Sequence, residues 1–385
     1  MKTLYLHIGT PKTATTSLQH FCAENEKFLE EQGYCYPIFP HKFKHIGILR
    51  NGFFLSYKTS DECGNRKELE EETFFRQGMD FVLENFRKFD NVILSDEAIW
   101  SVVFRRGKPY LWQKIKQEAK QHGYIVKVII YLRRQDTLAD SWWNQKVKNG
   151  KRIYSTSSWE EFVSDPSQLE LNYYEPIKII ENSIGRENII LRRFGKQYFK
   201  NGSIFEDFVD ALGMKYNSRF VISNANRNIR LFGNTHEIKR VLNMLPDLND
   251  QDNIFFKRIT LGMSERYIDC KQKTMFSSEE ALIFMEKYRE GNRKLMQEYF
   301  GKDEDLFDMD FSRNNKWILD NTEMQQDIIT FIGHIAVQLR KENQELQKRL
   351  VELEIEWSNY KKKVDQMQFS MKRSLYTRIL GKITR

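Results

Sequence analysis

The sequence has no long apolar run and few cysteines. Across 385 residues, no stretch reaches the roughly 18 consecutive apolar residues that a membrane-spanning helix requires. The four cysteines, Cys22, Cys35, Cys63 and Cys270, form no CxxC pair and are too sparse for a disulfide-stabilised secreted domain. We therefore expect free thiols and no zinc site. Because the first predicted strand begins at Thr3, we also expect no signal peptide and a cytoplasmic location.

Acidic residues are absent from the last fourteen positions, 372–385, where five basic residues stand. The chain has a net charge of +8, with 30% charged and 40% apolar residues, a composition typical of a folded globular protein. Much of the basicity therefore belongs to the tail and not to one face of a folded domain. No recognisable nucleic-acid-binding module accompanies it, so we expect no nucleic-acid partner.

A loop of small residues near the N-terminus is the most informative feature. Thr3–Ile8 has the pattern of a short buried strand, Gly9 and Pro11 end it, and apolar residues then recur at helical spacing. Such a loop presents backbone N–H groups and a helix N-terminus to an anion, and Lys12 adds a full positive charge. Four hydroxyl donors follow it: Thr13, Thr15, Thr16 and Ser17. The pattern predicts a phosphate-type site, although no glycine directly precedes Lys12, as the Walker A motif requires.

Residues 7–19, HIGTPKTATTSLQ, resemble the 5′-phosphosulfate loop HIGxPKTGTTSLQ of bacterial sulfotransferases that use 3′-phosphoadenosine 5′-phosphosulfate (PAPS). The alternative is a threonine-rich helix cap with a solvated lysine. Ala14 stands where the family usually has glycine, so we expect an ordinary helical or bridge-region backbone there. The resemblance implies that the donor is bound by Thr10, Pro11, Lys12, Thr13, Ala14, Thr15, Thr16 and Ser17.

Strand and helix patterns alternate over the first 200 residues. Helical patterns lie between the predicted strands, around residues 74–86, 108–122 and 172–183, and residues 203–315 are predicted to be largely helical. This order predicts an α/β fold with a P-loop-like parallel sheet flanked by helices. The predicted strands are Thr3–Ile8, Tyr34–Pro37, Asn91–Leu94, Tyr124–Leu132 and Ile189–Phe194.

Arg133 follows the central predicted strand, and Ser141 comes eight residues later on the next helix. Similar sulfotransferases bind the 3′-phosphate of the nucleotide with an arginine and a serine at this spacing, so the resemblance implies that role for both residues. The planar guanidinium can donate two hydrogen bonds to one phosphate. An arginine after a strand and a surface serine are common, so the pair is informative only together with the earlier loop. The resemblance covers about residues 1–315.

The resemblance implies PAPS as donor, 3′-phosphoadenosine 5′-phosphate (PAP) as product, and no metal. Lys12 is then the residue that neutralises the charge developing on the leaving phosphate. An acceptor hydroxyl also needs a base, for which the sequence offers Glu97, after a buried strand, and His45, with His41 as a third choice. The neighbouring Asp96 is either part of the site or the cap of the next helix.

The predicted acceptor is a glycan: a cell-surface or capsular polysaccharide, or its lipid-linked precursor. A small molecule or a lipid is also compatible with the sequence. A P-loop-like nucleotide or sugar kinase is the second hypothesis, which magnesium dependence would distinguish. A non-catalytic membrane-associated scaffold is the third, which failure to bind PAP would favour.

A heptad pattern runs without a break from Ile329 to Met371 and predicts a parallel coiled-coil homodimer. Asn343 is a polar group of the kind that favours two strands, while Trp357 and Tyr360 are large for such a seam. A helix folded back on the catalytic domain and a trimer remain alternatives. The seam consists of Ile329, Ala336, Asn343, Leu350, Trp357, Val364 and Met371 at position a, and Ile332, Leu339, Leu346, Leu353, Tyr360 and Met367 at position d.

The predicted division of the chain is a catalytic domain (1–315), a coiled-coil helix (316–371) and a basic amphipathic tail (372–385). In the tail, Leu375, Ile379, Leu380 and Ile383 can share one helical face, with much of the charge opposite. Such a segment can lie on an anionic membrane, which predicts peripheral contact with the inner face of the membrane. A frayed basic terminus is the alternative.

Overall fold

The computed structural model of this chain describes residues 1–39, 49–56, 59–60, 66–67, 71–106, 110–150, 154–165, 170–222, 230–265 and 273–383.

A five-stranded, fully parallel sheet forms the centre of the fold, with the strand order β2-β5-β1-β6-β7. A separate antiparallel pair is formed by β3 and β4. This confirms the predicted α/β fold class. The strands in the described residues are β1 (Thr3–His7), β2 (Tyr34–Cys35), β3 (Thr59–Ser60), β4 (Arg66–Lys67), β5 (Asn91–Ser95), β6 (Ile125–Arg133) and β7 (Ile189–Phe194).

Helices cover both faces of the sheet, and a helical region follows the last strand. The described α-helices are α1 (Thr15–Glu24), α2 (Glu26–Glu31), α3 (Glu71–Asn85), α4 (Ala98–Arg106), α5 (Tyr110–His122), α6 (Gln135–Asn149), α7 (Trp159–Ser164), α8 (Tyr174–Ile184), α9 (Ile204–Ala211), α10 (Thr235–Leu242), α11 (Asp250–Ser264), α12 (Ser278–Phe300) and α13 (Met324–Ile383).

The central strand β1 is buried along its whole length because its two faces belong to two different hydrophobic cores. Leu4 and Leu6 lie in the larger core, and Tyr5 lies in the smaller core on the opposite face. Alternate residues of a strand point to opposite faces, so a strand covered on both sides is apolar throughout.

The chain changes direction across the sheet at β1. The strands β2 and β5 lie on one side of β1, and β6 and β7 are added on the other. In open parallel sheets, this arrangement leaves a crevice outside the carboxyl ends of the two strands where the order reverses. Here the two strands are β1, which is followed by the loop after His7, and β6, which ends at Arg133.

The chain ends in the 60-residue helix α13, which contains the whole predicted heptad region. Among the described helices, none is both long enough and apolar enough to cross a bilayer. Cys22 and Cys35 are buried free thiols, while Cys63 and Cys270 lie outside the described residues.

The expectation for Ala14 is wrong. Ala14 has φ 60° and ψ 26°, which is the left-handed conformation that glycine adopts most readily. It occupies the N-cap position of α1 and makes no side-chain cap hydrogen bond. Ala14 therefore has a backbone conformation that suits glycine better than alanine, and its Cβ causes strain there.

Candidate functional site

The loop between β1 and α1 is fastened to the neighbouring strand β6. Thr10 N–H donates to the carbonyl oxygen of Tyr131 at 2.9 Å, and Tyr131 N–H donates to the carbonyl oxygen of Gly9 at 2.7 Å. The Thr10 hydroxyl also donates to Tyr131 O, and the Thr13 hydroxyl donates to Thr10 O. Gly9 and Lys12 share the positive φ of Ala14. The loop is therefore a fixed turn at the carboxyl end of the central strand.

Lys12 points from this loop towards helix α6. Its Nζ donates to Oε1 of Gln145 at 2.8 Å. Burial is the main cause that lowers the pKa of Lys12 to about 8; the positive charges of Arg133 and Arg230 contribute to this lowering, while Glu97 acts in the opposite direction. The partner amide is neutral, so this hydrogen bond holds the ammonium without neutralising it.

Arg133, at the end of β6, contacts the same loop. One guanidinium nitrogen donates to the carbonyl oxygen of Lys12 at 2.8 Å, and Nε donates to the Thr137 hydroxyl at 3.1 Å. The Tyr173 hydroxyl donates to the carbonyl oxygen of Arg133 at 2.7 Å. The Phe194 ring lies 5.4 Å from the guanidinium carbon. Burial is the main cause that lowers the pKa of Arg133 to about 10.

One face of α6 lines the crevice. Thr137 contacts Arg133 and Gln145 contacts Lys12, and Ser141 stands four residues from each. Residues four apart share a helix face, so Ser141 lies on the face that both charged groups contact. The loop, Arg133 and this helix face are thus brought together.

Sequence reasoning missed three residues around this face. Arg230 pairs with Asp140 at 2.8 Å and adds positive charge near Lys12 and Arg133. The buried Lys148 has its pKa lowered to about 8, first by burial and then by the charge of Lys12. Gln145 could have been found from its helical spacing to Ser141, whereas no local motif marks Arg230.

Glu97 follows β5 and lies beside the loop. A Cβ added to Gly9 would come within 3.5 Å of Cβ of Glu97. Burial, and then the charge of Asp96, raise the pKa of Glu97, while the positive charges of Arg50 and Lys12 act in the opposite direction. Glu97 is therefore a half-buried carboxyl group on the crevice side of the loop.

Asp96, the neighbour of Glu97, holds the start of α4 and the side chain of Arg50 in place. Its Oδ1 accepts hydrogen bonds from the backbone N–H of Ala98, at the start of α4, and from Arg50, both at 2.7 Å. These contacts match the helix-cap alternative. The other base candidates, His45 and His41, lie outside the described residues.

Arg134 occupies the N-cap position of α6, and its side chain makes no cap hydrogen bond. It forms a two-pronged ion pair with Asp136, at 2.8 and 2.9 Å, and its guanidinium lies over the Phe311 ring.

Within the residues that the structure describes, no group of three or more His, Cys, Asp or Glu side chains could hold a metal ion.

No family model matches the chain. An uncharacterized protein of Archaeoglobus fulgidus is 29% identical over 178 residues, which span 46% of this chain and 46% of that protein, so the match covers less than half of its length.

Three solved structures are similar to the chain. A sulfotransferase from Alicyclobacillus acidocaldarius aligns with 67% of this chain and 92% of its own, at 17% identity and a TM-score of 0.35. A mouse sulfotransferase in complex with PAP aligns with 70% and 86%, at 14% identity and a TM-score of 0.30. The sulfotransferase domain from the curacin biosynthetic pathway aligns with 70% and 91%, at 9% identity and a TM-score of 0.31.

Proposed function

We propose that this chain is a PAPS-dependent sulfotransferase acting on a hydroxyl, or less readily an amine, of a glycan. The observation that carries the proposal is the hydrogen bond from Arg133 to the carbonyl oxygen of Lys12. It joins the two sequence segments, 121 residues apart, that separately resemble the two phosphate sites of a PAPS enzyme. It also joins them at the carboxyl ends of β1 and β6, where such sheets bind ligands.

The charges of the crevice fit a donor with several negative charges. Lys12, Arg133 and Arg230 are half-buried cations: the charges of Arg133 and Arg230 lower the pKa of Lys12, and the charge of Arg230 lowers the pKa of Arg133. Asp140 is already paired with Arg230. A bound polyanion would therefore relieve a repulsion that the folded chain retains. In this proposal Thr10–Ser17 hold the 5′-phosphosulfate, and Arg133 and Ser141 hold the 3′-phosphate with help from Arg230.

The proposed mechanism uses positioning and charge stabilisation. When bound, PAPS supplies an activated sulfuryl group, which moves to the acceptor oxygen as its bond to the bridging phosphate oxygen breaks. The Lys12 ammonium neutralises the negative charge that develops on the leaving phosphate. Glu97 accepts the proton of the acceptor hydroxyl, for which its raised pKa makes it a stronger base than an exposed glutamate.

The proposed acceptor is a cell-surface or capsular glycan, or its lipid-linked precursor, at the inner face of the membrane. Two observations support this class. Trp142 is half-buried and next to Ser141, so it can offer a ring to a sugar, whereas Trp143 is buried in the core. The backbone of α13 stays helical to Ile383, as the predicted amphipathic tail requires.

Calorimetric titration of the metal-free protein tests the donor. PAP should bind at micromolar concentrations, and adenosine 5′-phosphosulfate, which lacks the 3′-phosphate, should bind at least about 10-fold more weakly. Preference for ATP with magnesium would overturn the proposal in favour of a kinase. No binding of any of the three nucleotides would also overturn it. Transfer of ³⁵S from labelled PAPS to a polysaccharide fraction then tests the acceptor, with a glycolipid fraction and a phenolic small molecule alongside.

A further inference from the structure

The long helix α13 is attached to the domain by one face near its N-terminal end. Phe331 and Ile335 pack against an apolar cluster on α10 and α11 that includes Ile259 and Met263. Before them, the buried Asp327 accepts a hydrogen bond from Nδ2 of Asn234 at 2.9 Å. After them, Glu342 pairs with Arg258 at 3.1 Å. We call the residues Asp327, Phe331, Ile335 and Glu342 the docking face.

The docking face and the heptad seam are different sides of the helix. At about 100° per residue, the docking face and the seam residues between Ile329 and Asn343 are centred about 120° apart. Ile332 and Leu339 illustrate the separation, since they stay 58% and 52% exposed although Phe331, beside Ile332, is buried. Attachment to the domain therefore leaves the seam uncovered.

Beyond the docking face the helix is exposed. Every described side chain from Asn343 to Arg373 is exposed except Val364, which is half-buried. The apolar seam residues are among the exposed groups, with Leu346 at 71% and Leu350 at 58%. A continuous apolar stripe of this length is typical of an interaction surface.

The pattern of the stripe identifies its partner as a second copy of this chain. In a parallel pair, each residue before position a meets the residue five positions later on the other helix. Arg349 then faces Glu354, and Glu356 faces Lys361, so both contacts attract and both occur twice. Asn343 meets its own copy, where two amides can hydrogen-bond to each other.

We propose that the seam from Leu339 to Met371 is covered by a second copy in a parallel two-stranded coiled coil. The domains are then both at the N-terminal end of the coil, each on the side of its helix away from the seam. This inference is independent of the proposed reaction.

Light scattering coupled to size-exclusion chromatography of the full chain tests the stoichiometry. We expect twice the chain mass of 46.3 kDa. Replacing Leu350 and Leu353 together by Asp should weaken dimerisation more than about 100-fold, because the coil would bury unpaired carboxylates. The matched control replaces Val351 and Ile355, equally exposed but outside the seam, by Asp and should remain a dimer.

A monomeric wild-type chain at 100 µM would overturn the proposal, as would a trimer. The proposal would also be overturned if the measured molar mass fell equally, from that of a dimer towards that of a monomer, in the two double variants. Circular dichroism and the cooperative thermal unfolding of each variant establish that its domain is folded.

Disulfide formation tests the orientation. In a chain with Cys63→Ser and Cys270→Ser, the single replacements Asn343→Cys and Val364→Cys should each give a cross-linked dimer on mild oxidation. In an antiparallel pair, a residue can face the same residue of the other helix at only one height along the coil. Cross-linking at just one of these two positions would therefore contradict the parallel arrangement, and cross-linking at neither would contradict the seam itself.

Discussion

The ammonium nitrogen of Lys12 lies 2.8 Å from Oε1 of Gln145. The two residues come from different elements, the loop after β1 and the helix after β6, so the contact fixes the distance between the loop and α6. Gln145 carries no charge. The contact therefore holds Lys12 in position while leaving its positive charge for a ligand.

Lys12→Ala should lower kcat by about 10²- to 10³-fold, because the charge on the leaving phosphate would lose its neutralising group. Affinity for PAP should fall much less. Steady-state kinetics and calorimetry measure the two quantities, and Lys27→Ala, at an exposed position of α2, is the control. Equal losses in kcat and in affinity would argue against a role specific to the transition state.

Arg133→Ala should weaken binding of PAP by about 10- to 100-fold, the usual value of a charged hydrogen bond. Binding of adenosine 5′-phosphosulfate should change little, since it lacks the 3′-phosphate. The control is Arg134→Ala, because Arg134 is paired with Asp136. If Arg133→Ala weakens both nucleotides equally, the 3′-phosphate site is assigned to the wrong residue.

The activity should depend on pH in a bell shape. The proposed active form has Glu97 deprotonated and Lys12 protonated. Activity should therefore rise as the pH passes the pKa of Glu97, which burial and Asp96 raise above its ordinary value, and fall near pH 8, where Lys12 loses its proton. Profiles of kcat/KM for the wild type and Glu97→Gln check both limbs. An unchanged acid limb in Glu97→Gln would transfer the base role to another group, with His45 the next to test.

Ala14→Gly should stabilise the protein by about 0.5–1 kcal/mol, because glycine adopts a φ of 60° without the strain of a Cβ. The control is Ala23→Gly, at a position inside α1, where the same replacement should have the opposite effect and lower the free energy of unfolding by about 1 kcal/mol. Urea unfolding measures both. Destabilisation by Ala14→Gly would mean that the Cβ of Ala14 makes packing contacts worth more than the strain.

The parts of the site that are formed by residues close together in the sequence were predicted correctly. The strand, loop and helix of residues 3–24 have their own apolar periodicity and breakers, and Arg133 ends the strongest strand pattern. Both segments adopt the predicted structure, and their meeting at one edge of the sheet follows from parallel strands.

The parts that failed depend on distant contacts. Ala14 was expected in an ordinary conformation because local preference disfavours a positive φ for alanine. The hydrogen bonds that tie Gly9 and Thr10 to Tyr131 fix the turn from outside the loop, and tertiary contacts prevail over that preference. Arg230 enters the site from a segment 97 residues beyond Arg133 in the sequence, with no strand pattern or motif to mark it.

The docking face also turns α13 into a spacer. From Glu342, which pairs with Arg258 of the domain, to Ile383 the helix rises about 60 Å, at 1.5 Å per residue. A surface held by the far end would stand at that distance from the root of the helix. Under the proposed function, the domain would then act on glycan chains that extend well away from their anchor, and groups lying flat on that surface would be out of its reach.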